Sequence, residues 1–271
     1  MKVKNFWHLR HLWLIISAIL ILSLTACGGS GGDVRIIVAG STSVQPYSEI
    51  LAEEFVFLNP GFTIDVQGGG SSGGIRAASE GAADIGMSSR ALNESEQEYW
   101  VIEIARDGLA IVIHPSNPVT GLSFEQIQRV FTGEITNWSE VGGLDARIHL
   151  IAREEGSGTR GAFEELVMTG DNFITPRAIV QSSNGSIRQL VSGDPNSIGF
   201  LSLGLVDDSV RALALDGVEA TVENVLNETY NLFRPFLYIA REEPTGAAAF
   251  FIDFVLSPYG KAILAEEGLI P

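Results

Sequence analysis

Nine residues, Ala152-Arg-Glu-Glu-Gly-Ser-Gly-Thr-Arg160, put a fixed positive charge, two hydroxyls and two glycines where a strand gives way to a helix. The apolar run Ile148–Ala152 reads as a buried strand, and Gly161–Met168 has helical periodicity. Amides left unpaired at a helix start, with the positive end of its dipole, attract anions. Glycine lets a ligand approach the backbone closely. Ser157, Gly158 and Thr159 add hydroxyl and amide donors, and Arg153 offers a planar fork suited to a tetrahedral oxyanion. Read alone, the stretch is equally an N-cap turn beside a surface arginine.

Two further stretches share the pattern. Val34–Ala39 reads as a buried strand, Gly40-Ser-Thr-Ser-Val44 as a turn, and Val44–Leu58 as a helix stopped by Asn59-Pro-Gly61. Phe62–Gln67 alternates like a strand and runs into Gly68-Gly-Gly-Ser-Ser-Gly-Gly74, which opens a helix over Ile75–Glu80. Three strand–turn–helix units with hydroxyls at the helix starts could surround one small oxyanion, provided that the starts converge.

The other elements must position these loops. Gly81–Arg90 reads as a short strand with a polar tip, Ala91–Ile104 as a helix and Gly108–His114 as a buried strand. Pro115-Ser-Asn-Pro118 is a candidate hinge. Ser123–Phe131 is a capped amphipathic helix, and Gly133–Gly143 is a loop packed down by Trp138. Pro176–Val180 and Ser197–Ser202 read as strands and Gly185–Val191 as a helix. Arg211–Leu215 and Val218–Glu223 are ambiguous. Tyr230–Ala240 is long and apolar around Pro235 and suits a return crossing, and Thr245–Leu256 and Pro258–Glu267 read as closing helices. Strands alternating with helices indicate an α/β fold.

Other chemistries fit less well. Gly68-x-Gly70-x-x-Gly73 matches a dinucleotide fingerprint, but no acidic residue closes a second strand about twenty residues on; Asp84 precedes its strand instead. No Gly-Lys-Ser/Thr follows a glycine loop, which excludes a P-loop. Ser157 lies in Glu155-Gly-Ser-Gly-Thr159, not in a nucleophile-elbow frame. His114 and His149 read as structural histidines at or within buried strands, and no cluster has metal-ligand spacing, so no metal or cofactor is expected. Glu154 or Glu155, beside the anion loop, could accept a proton from hydrogen phosphate, which sulfate does not carry at neutral pH.

The first residues belong to export rather than fold. Lys2, Lys4 and Arg10 precede an apolar run over Leu12–Leu22, the pattern of a signal peptide spanning residues 1–26. Leu24-Thr-Ala-Cys27 resembles the bacterial lipobox, so Cys27, the sole cysteine, is the expected lipidation site, with residues 27–32 forming a flexible tether. Cleavage would remove three basic residues and no acidic one, leaving 14 against 33 and a formal charge of −19. Such a body will not hold nucleic acid or an anionic membrane face by bulk charge. Any anion must be held by local donors.

Four ordered motifs now carry a resemblance: Ala39-Gly-Ser-Thr-Ser-Val44, Gly69-Gly-Ser-Ser-Gly-Gly-Ile75, Asp84-Ile-Gly-Met-Ser-Ser-Arg90 and Arg153-Glu-Glu-Gly-Ser-Gly-Thr159. Behind a lipobox, this set resembles the phosphate-binding proteins of bacterial phosphate ABC transporters, and the likeness runs from about Val34 to the C-terminus. The resemblance implies a two-lobed, periplasmic-binding-protein-like α/β fold, each lobe a mixed sheet flanked by helices, joined by two hinge crossings. Lobe I would comprise residues 33–114 and 236–271, and lobe II residues 115–235. It implies phosphate contacts from Thr42, Ser43, Ser71, Arg153, Ser157, Gly158 and Thr159. Many family members carry an aspartate where this chain has Ser89, followed by Arg90, so Ser89 and a second arginine at Arg90 are expected toward the ligand. The implied partners are inorganic phosphate, the permease subunits of a phosphate ABC transporter and the membrane through the N-terminal lipid, with the protein acting as an extracytoplasmic monomer. The alternatives are another oxyanion (sulfate, molybdate or tungstate), a surface phosphatase using the same loops, and an adhesion or sensing lipoprotein with a vestigial pocket.

Overall fold

The computed structural model of this chain describes residues 34–271; the expected signal peptide, Cys27 and tether lie outside the described residues. In chain order the elements are β1 (Val34–Gly40), α1 (Gln45–Leu58), β2 (Phe62–Gly68), α2 (Ser71–Ser79), β3 (Ile85–Ser88), β4 (Trp100–Ile113), β5 (Gly121–Leu122) and α3 (Phe124–Thr132). There follow β6 (His149–Arg153), α4 (Gly158–Leu166), β7 (Ile179–Gln181), α5 (Asn184–Gly193), β8 (Ser197–Ser202), β9 (Arg211–Ala212) and β10 (Ala214–Leu215). The chain ends with α6 (Val222–Leu226), β11 (Phe233–Ala240), α7 (Gly246–Leu256) and α8 (Pro258–Glu266). The fold is mixed α/β, as the alternation of elements predicts.

One sheet runs β2-β1-β3-β11-β4-β8-β6-β7, with β9 also on β4, and β5 and β10 form a small parallel pair. Parallel strands need helical crossovers, which α1 and α2 supply between β1 and β3 and α4 and α5 between β6 and β8. β4 is the spine. Its first part, Trp100–Gly108, pairs antiparallel with β11 from Ala240 back to Phe233, and its second part, Leu109–Ile113, pairs antiparallel with β8. The apolar residues divide accordingly. Ile104 and Ala105 join Val38, Leu51, Phe55, Phe236 and Phe251 in one core. Leu109, Ile111 and Ile113 join Phe131, Phe163, Phe200 and Leu232 in another. The Pro115–Pro118 turn therefore comes after the chain has already entered the second core, and it is at Arg106–Gly108 that β4 passes from one core to the other.

The helix expected over Ala91–Ile104 does not form. Residues 94–96 make a single tight turn, and β4 starts at Trp100. Trp100-Val-Ile-Glu has the β-branched, alternating character of a strand, and pairing with β11 outweighs the helical spacing of its apolar residues. Of the strand expected over Pro176–Val180, only β7 pairs with β6; Pro176 has no N–H to offer a ladder.

Caps set the helix starts. Ser123 and Gln126 make a reciprocal capping box, with Ser123 Oγ accepting from the Gln126 amide at 3.1 Å, and Gly133 ends α3 at φ 82°. α2 begins at Ser71, four residues before the expected start, and crosses β1 and β3 at Gly74. A Cβ on Gly74 would lie 2.5 Å from the Ala39 carbonyl oxygen and 2.9 Å from that of Met87. Only glycine lets this helix start lie so close to the strand ends.

In the second core, Phe163 stacks on Phe200 with centroids 4.2 Å apart and planes 3° from parallel, and it also meets Phe131 at 4.6 Å. It anchors α4, and hence the Ser157–Thr159 loop, to β8. Phe163→Ala should cost about 3–5 kcal/mol of stability, read as a lowered urea midpoint. After β3, Arg90 grips Glu96 through Nη1 and Nη2 at 2.7 and 2.9 Å, and the Asn93 amide donates to the same carboxylate. Chiefly the Arg90 hydrogen bond holds the Glu96 carboxyl below its ordinary pKa. Because the folded value is depressed, this stabilisation is present above the unfolded carboxylate pKa and is lost as pH falls through the lower folded one. Glu96→Gln should flatten the loss of stability between about pH 5 and about pH 3, measured as urea midpoints along a pH series.

Candidate functional site

The four loops predicted from the sequence meet at the ends of β1, β3 and β6. Ser41 Oγ donates to Ser89 Oγ at 2.8 Å, and the Ser89 amide donates to Ser71 Oγ at 3.1 Å. Ser71 is the first residue of α2, and its hydroxyl also lies 3.5 Å from that of Ser89. Ser41, Ser43, Ser71 and Ser89 are all buried. Thr42 is half-buried, with Oγ1 accepting from Asn184 Nδ2 at 3.3 Å.

The β6–α4 loop closes onto this group. Ser43 Oγ and Thr159 Oγ1 are 2.8 Å apart, and the Ser72 amide donates to the Gly156 carbonyl at 3.2 Å. Ser157 caps α4, accepting from the Arg160 amide at 3.2 Å. Gly158 sits where a Cβ would overlap the hydroxyls of both Ser71 and Ser89. Helix starts from both cores thus face one another through hydroxyls and amides with no room for a side chain at Gly158.

Arg153 ends β6 and is 1% exposed. Its Nε and Nη2 donate to the two oxygens of Glu154, each at 2.9 Å, and also reach the Gln181 and Ser182 carbonyls. Nη1 points toward Thr159 Oγ1 at 3.5 Å. Glu154, expected as a free proton acceptor, has both oxygens on Arg153 and orients it instead. Glu155 is exposed.

Arg90 does not join the cluster. Its fork is taken by Glu96, with further bonds to the Ala91 carbonyl and Ser72 Oγ. With Glu155 it lines an outer cleft of about 470 Å³. Adjacency in Ser88-Ser-Arg90 did not determine which way the side chain turned, and a carboxylate six residues on captured it.

Three residues that the sequence did not single out enclose the site from behind. Arg234 on β11 is 2% exposed and donates through Nε and Nη2 to Asp107 Oδ2 on β4 at 3.2 and 3.0 Å. Its Nη2 also donates to Ser43 Oγ at 3.1 Å, and Nη1 has no hydrogen-bond partner among the described residues. Asp107, 2% exposed, accepts from Ser202 Oγ through its other oxygen at 2.9 Å. Burial pushes the Asp107 carboxyl up, with Arg234 and Ser202 pulling against it. Asn184 opens α5 and donates to Ser43 Oγ at 2.8 Å. An arginine inside the apolar run Phe233-Arg-Pro-Phe-Leu237 was the one available signal. Nothing in the sequence marked Asp107 or Asn184.

His114 and His149, the histidines among the described residues, stand apart from the cluster. His114 Nδ1 is 2.7 Å from Ser116 Oγ, and His149 Nδ1 is 2.6 Å from Asp194 Oδ2. His149 is partly exposed rather than enclosed within its strand.

Residues 28–259 match the PBP superfamily domain. The phosphate-binding protein PstS of Bacillus subtilis (strain 168) is 31% identical over 96% of this chain and 93% of its own length. Among solved structures, a phosphate ABC transporter substrate-binding protein from Clostridium perfringens, solved with bound phosphate, is 46% identical, covers 87% of this chain and 98% of its own, and superposes with a TM-score of 0.85. An ABC-type phosphate transport receptor from Vibrio cholerae is 39% identical over 87% of this chain and 99% of its own, with a TM-score of 0.73. This chain belongs to the PBP superfamily and, within it, to the phosphate-binding proteins of bacterial phosphate ABC transporters.

Proposed function

We propose that this protein binds one inorganic phosphate between two lobes outside the cytoplasm and delivers it to the permease of a phosphate ABC transporter. The observation that carries this is the 2.8 Å approach of Ser43 to Thr159, hydroxyls from loops on different cores, with buried Arg153 directly behind. Arg153 supplies charge, and its Glu154 partner fixes the fork. Ser43, Ser71, Ser89, Ser157 and Thr159 supply hydroxyls, while Gly158 and the starts of α2 and α4 supply amides. Thr42 borders the site.

The two lobes would meet at Asp107–Gly108 on β4 and at Phe233–Arg234 on β11. On this reading the first crossing would lie seven residues before the expected boundary at 114/115. Bending there would open the loops to admit phosphate, and closure would exclude water and strengthen each hydrogen bond. The body would be tethered to the membrane by lipid on Cys27 and would act as a monomeric binding protein without turnover.

One observation favours a second reading, a protein for an unprotonated oxyanion such as sulfate. The carboxylates at the site, buried Asp107 and half-buried Glu154, are both engaged by arginines. Calorimetric titration with phosphate, competed by excess sulfate, decides between the two. The expected result is one-to-one phosphate binding that sulfate does not displace, and equal competition by sulfate would transfer the assignment to the second reading.

Arg153→Ala should weaken phosphate binding by about ten- to a hundredfold, the loss of the charge-assisted hydrogen bond that Nη1 is left to make, with an unchanged far-UV spectrum; unaltered affinity would sink the assignment. Gly158→Ala forces apart surfaces that now touch. It should raise the dissociation constant at least about tenfold while leaving the melting temperature of the phosphate-free protein nearly unchanged.

A further inference from the structure

The sequence pointed to a second arginine at the site, and Arg90 does not fill that place. Arg234 has the chemistry and the position to do so. It stands on a strand that passes between the two cores, surrounded by Phe236, over whose ring its guanidinium carbon lies 5.5 Å from the centroid, and by Asp107 and Ser43. A guanidinium has five N–H donors in a rigid plane. One edge, Nε and Nη2, is bound to Asp107. The other edge presents Nη2 and Nη1 as parallel teeth. Nη2 ends on Ser43 Oγ, which itself touches Thr159, so Nη1 projects in the same direction, beside the hydroxyl cluster.

That Nη1 is buried and makes no hydrogen bond among the described residues. An unsatisfied donor on a buried cation costs more than an ordinary lost hydrogen bond, so such a group in a native protein calls for a partner. The companion residues do not provide one. Asp107 Oδ1 is held by Ser202, and Asn184 directs its amide nitrogen to Ser43 and its oxygen to the Ser202 amide.

We propose that Arg234 is a phosphate-binding residue, donating through Nη1 to an oxygen of the bound anion while Asp107 holds its other edge. This inference rests on the phosphate-binding reading above. Because Arg234 and Asp107 lie on the two crossing strands, an anion held by Arg234 and by Thr159 ties the hinge region to the closing loop. Arg153 and Arg234 then approach the ligand from different elements, one from each core's side of the molecule.

The test is calorimetry and phosphorus-31 NMR of bound phosphate with the purified full chain and two variants. Arg234→Lys keeps the charge beside Asp107 and removes the second tooth of the fork. The double variant Asp107→Asn with Arg234→Met removes both buried charges, so that neither is left unpaired. Each should fold and bind phosphate about 10- to 100-fold more weakly than the parent, and Arg234→Lys should shift the bound phosphorus resonance. A purely structural role would lower the melting temperature and leave both the resonance and the affinity of the folded fraction where they were. Parental affinity in either variant, or an unmoved resonance in Arg234→Lys, overturns the inference and leaves the phosphate-binding reading standing. A parent protein that binds no phosphate overturns both.

Discussion

The ion pair between Asp107 and Arg234 ties together the two strands on which the rest of the molecule hangs. β4 and β11 each leave one apolar core and enter another, and at the passage each buries a charged side chain. Opposite charges at this point are costly to bury, and breaking a buried pair by removing one member costs about 3–5 kcal/mol because the remaining charge is uncompensated. The pair therefore acts less as a source of stability than as a condition on geometry. Only the register that brings Arg234 against Asp107 satisfies both, and that register also puts Ser43 within reach of the guanidinium.

From that fixed point the hydrogen bonds run in one direction. Ser43 Oγ accepts from Arg234 Nη2 and from Asn184 Nδ2, groups that can only donate. Both lone pairs of the serine are then occupied, and its proton is directed to Thr159 Oγ1, 2.8 Å away. Thr159 in turn has its own proton left to give. A surface residue with this freedom would share it with water. Here, buried in the first turn of α4, it is a donor left for the ligand once the loops close.

What could be read from the sequence follows from what sequence patterns encode. The Gly/Ser/Thr loops were legible because strand, turn and helix periodicities are local, and a glycine run at a helix start has few other uses. Ser43, Ser71, Ser89, Arg153, Ser157, Gly158 and Thr159 all fall in or around one cluster. Side-chain direction was not legible. Arg90 follows two site serines yet turns to Glu96, while Arg234, far away in sequence and inside an apolar run, turns inward. The helix expected over Ala91–Ile104 failed for a related reason: partner strand β11 lies more than a hundred residues on, and its pairing with Trp100–Gly108 overrides local spacing. The prolines at Pro115 and Pro118 punctuate the chain without marking the passage between cores, because a strand can cross from one core to the next without a break in its backbone. Asp107 and Asn184 carry no local pattern at all; only the folded chain shows their roles.

The acidic composition and an anion site are compatible once charge is counted locally. Arg153 is matched by Glu154 and Arg234 by Asp107, so the innermost side chains sum to no net charge. An anion arriving there is not met by an excess of positive residues. It is met by dipoles and hydrogens already oriented: the starts of α2 and α4, hydroxyls whose acceptor positions are taken, and guanidinium groups whose carboxylate partners hold them still. Water-excluding contacts such as Ser43 to Thr159 and Gly158 against Ser71 raise the strength of each of these interactions by lowering the local dielectric. Bulk charge acts over about a Debye length, roughly 8–10 Å at physiological salt, and is screened at the surface. The oriented donors act at contact distance and are not. A body with 33 acidic and 17 basic residues in its full sequence can thus hold an anion, because the interactions that decide binding operate inside the screened distance and were arranged by folding.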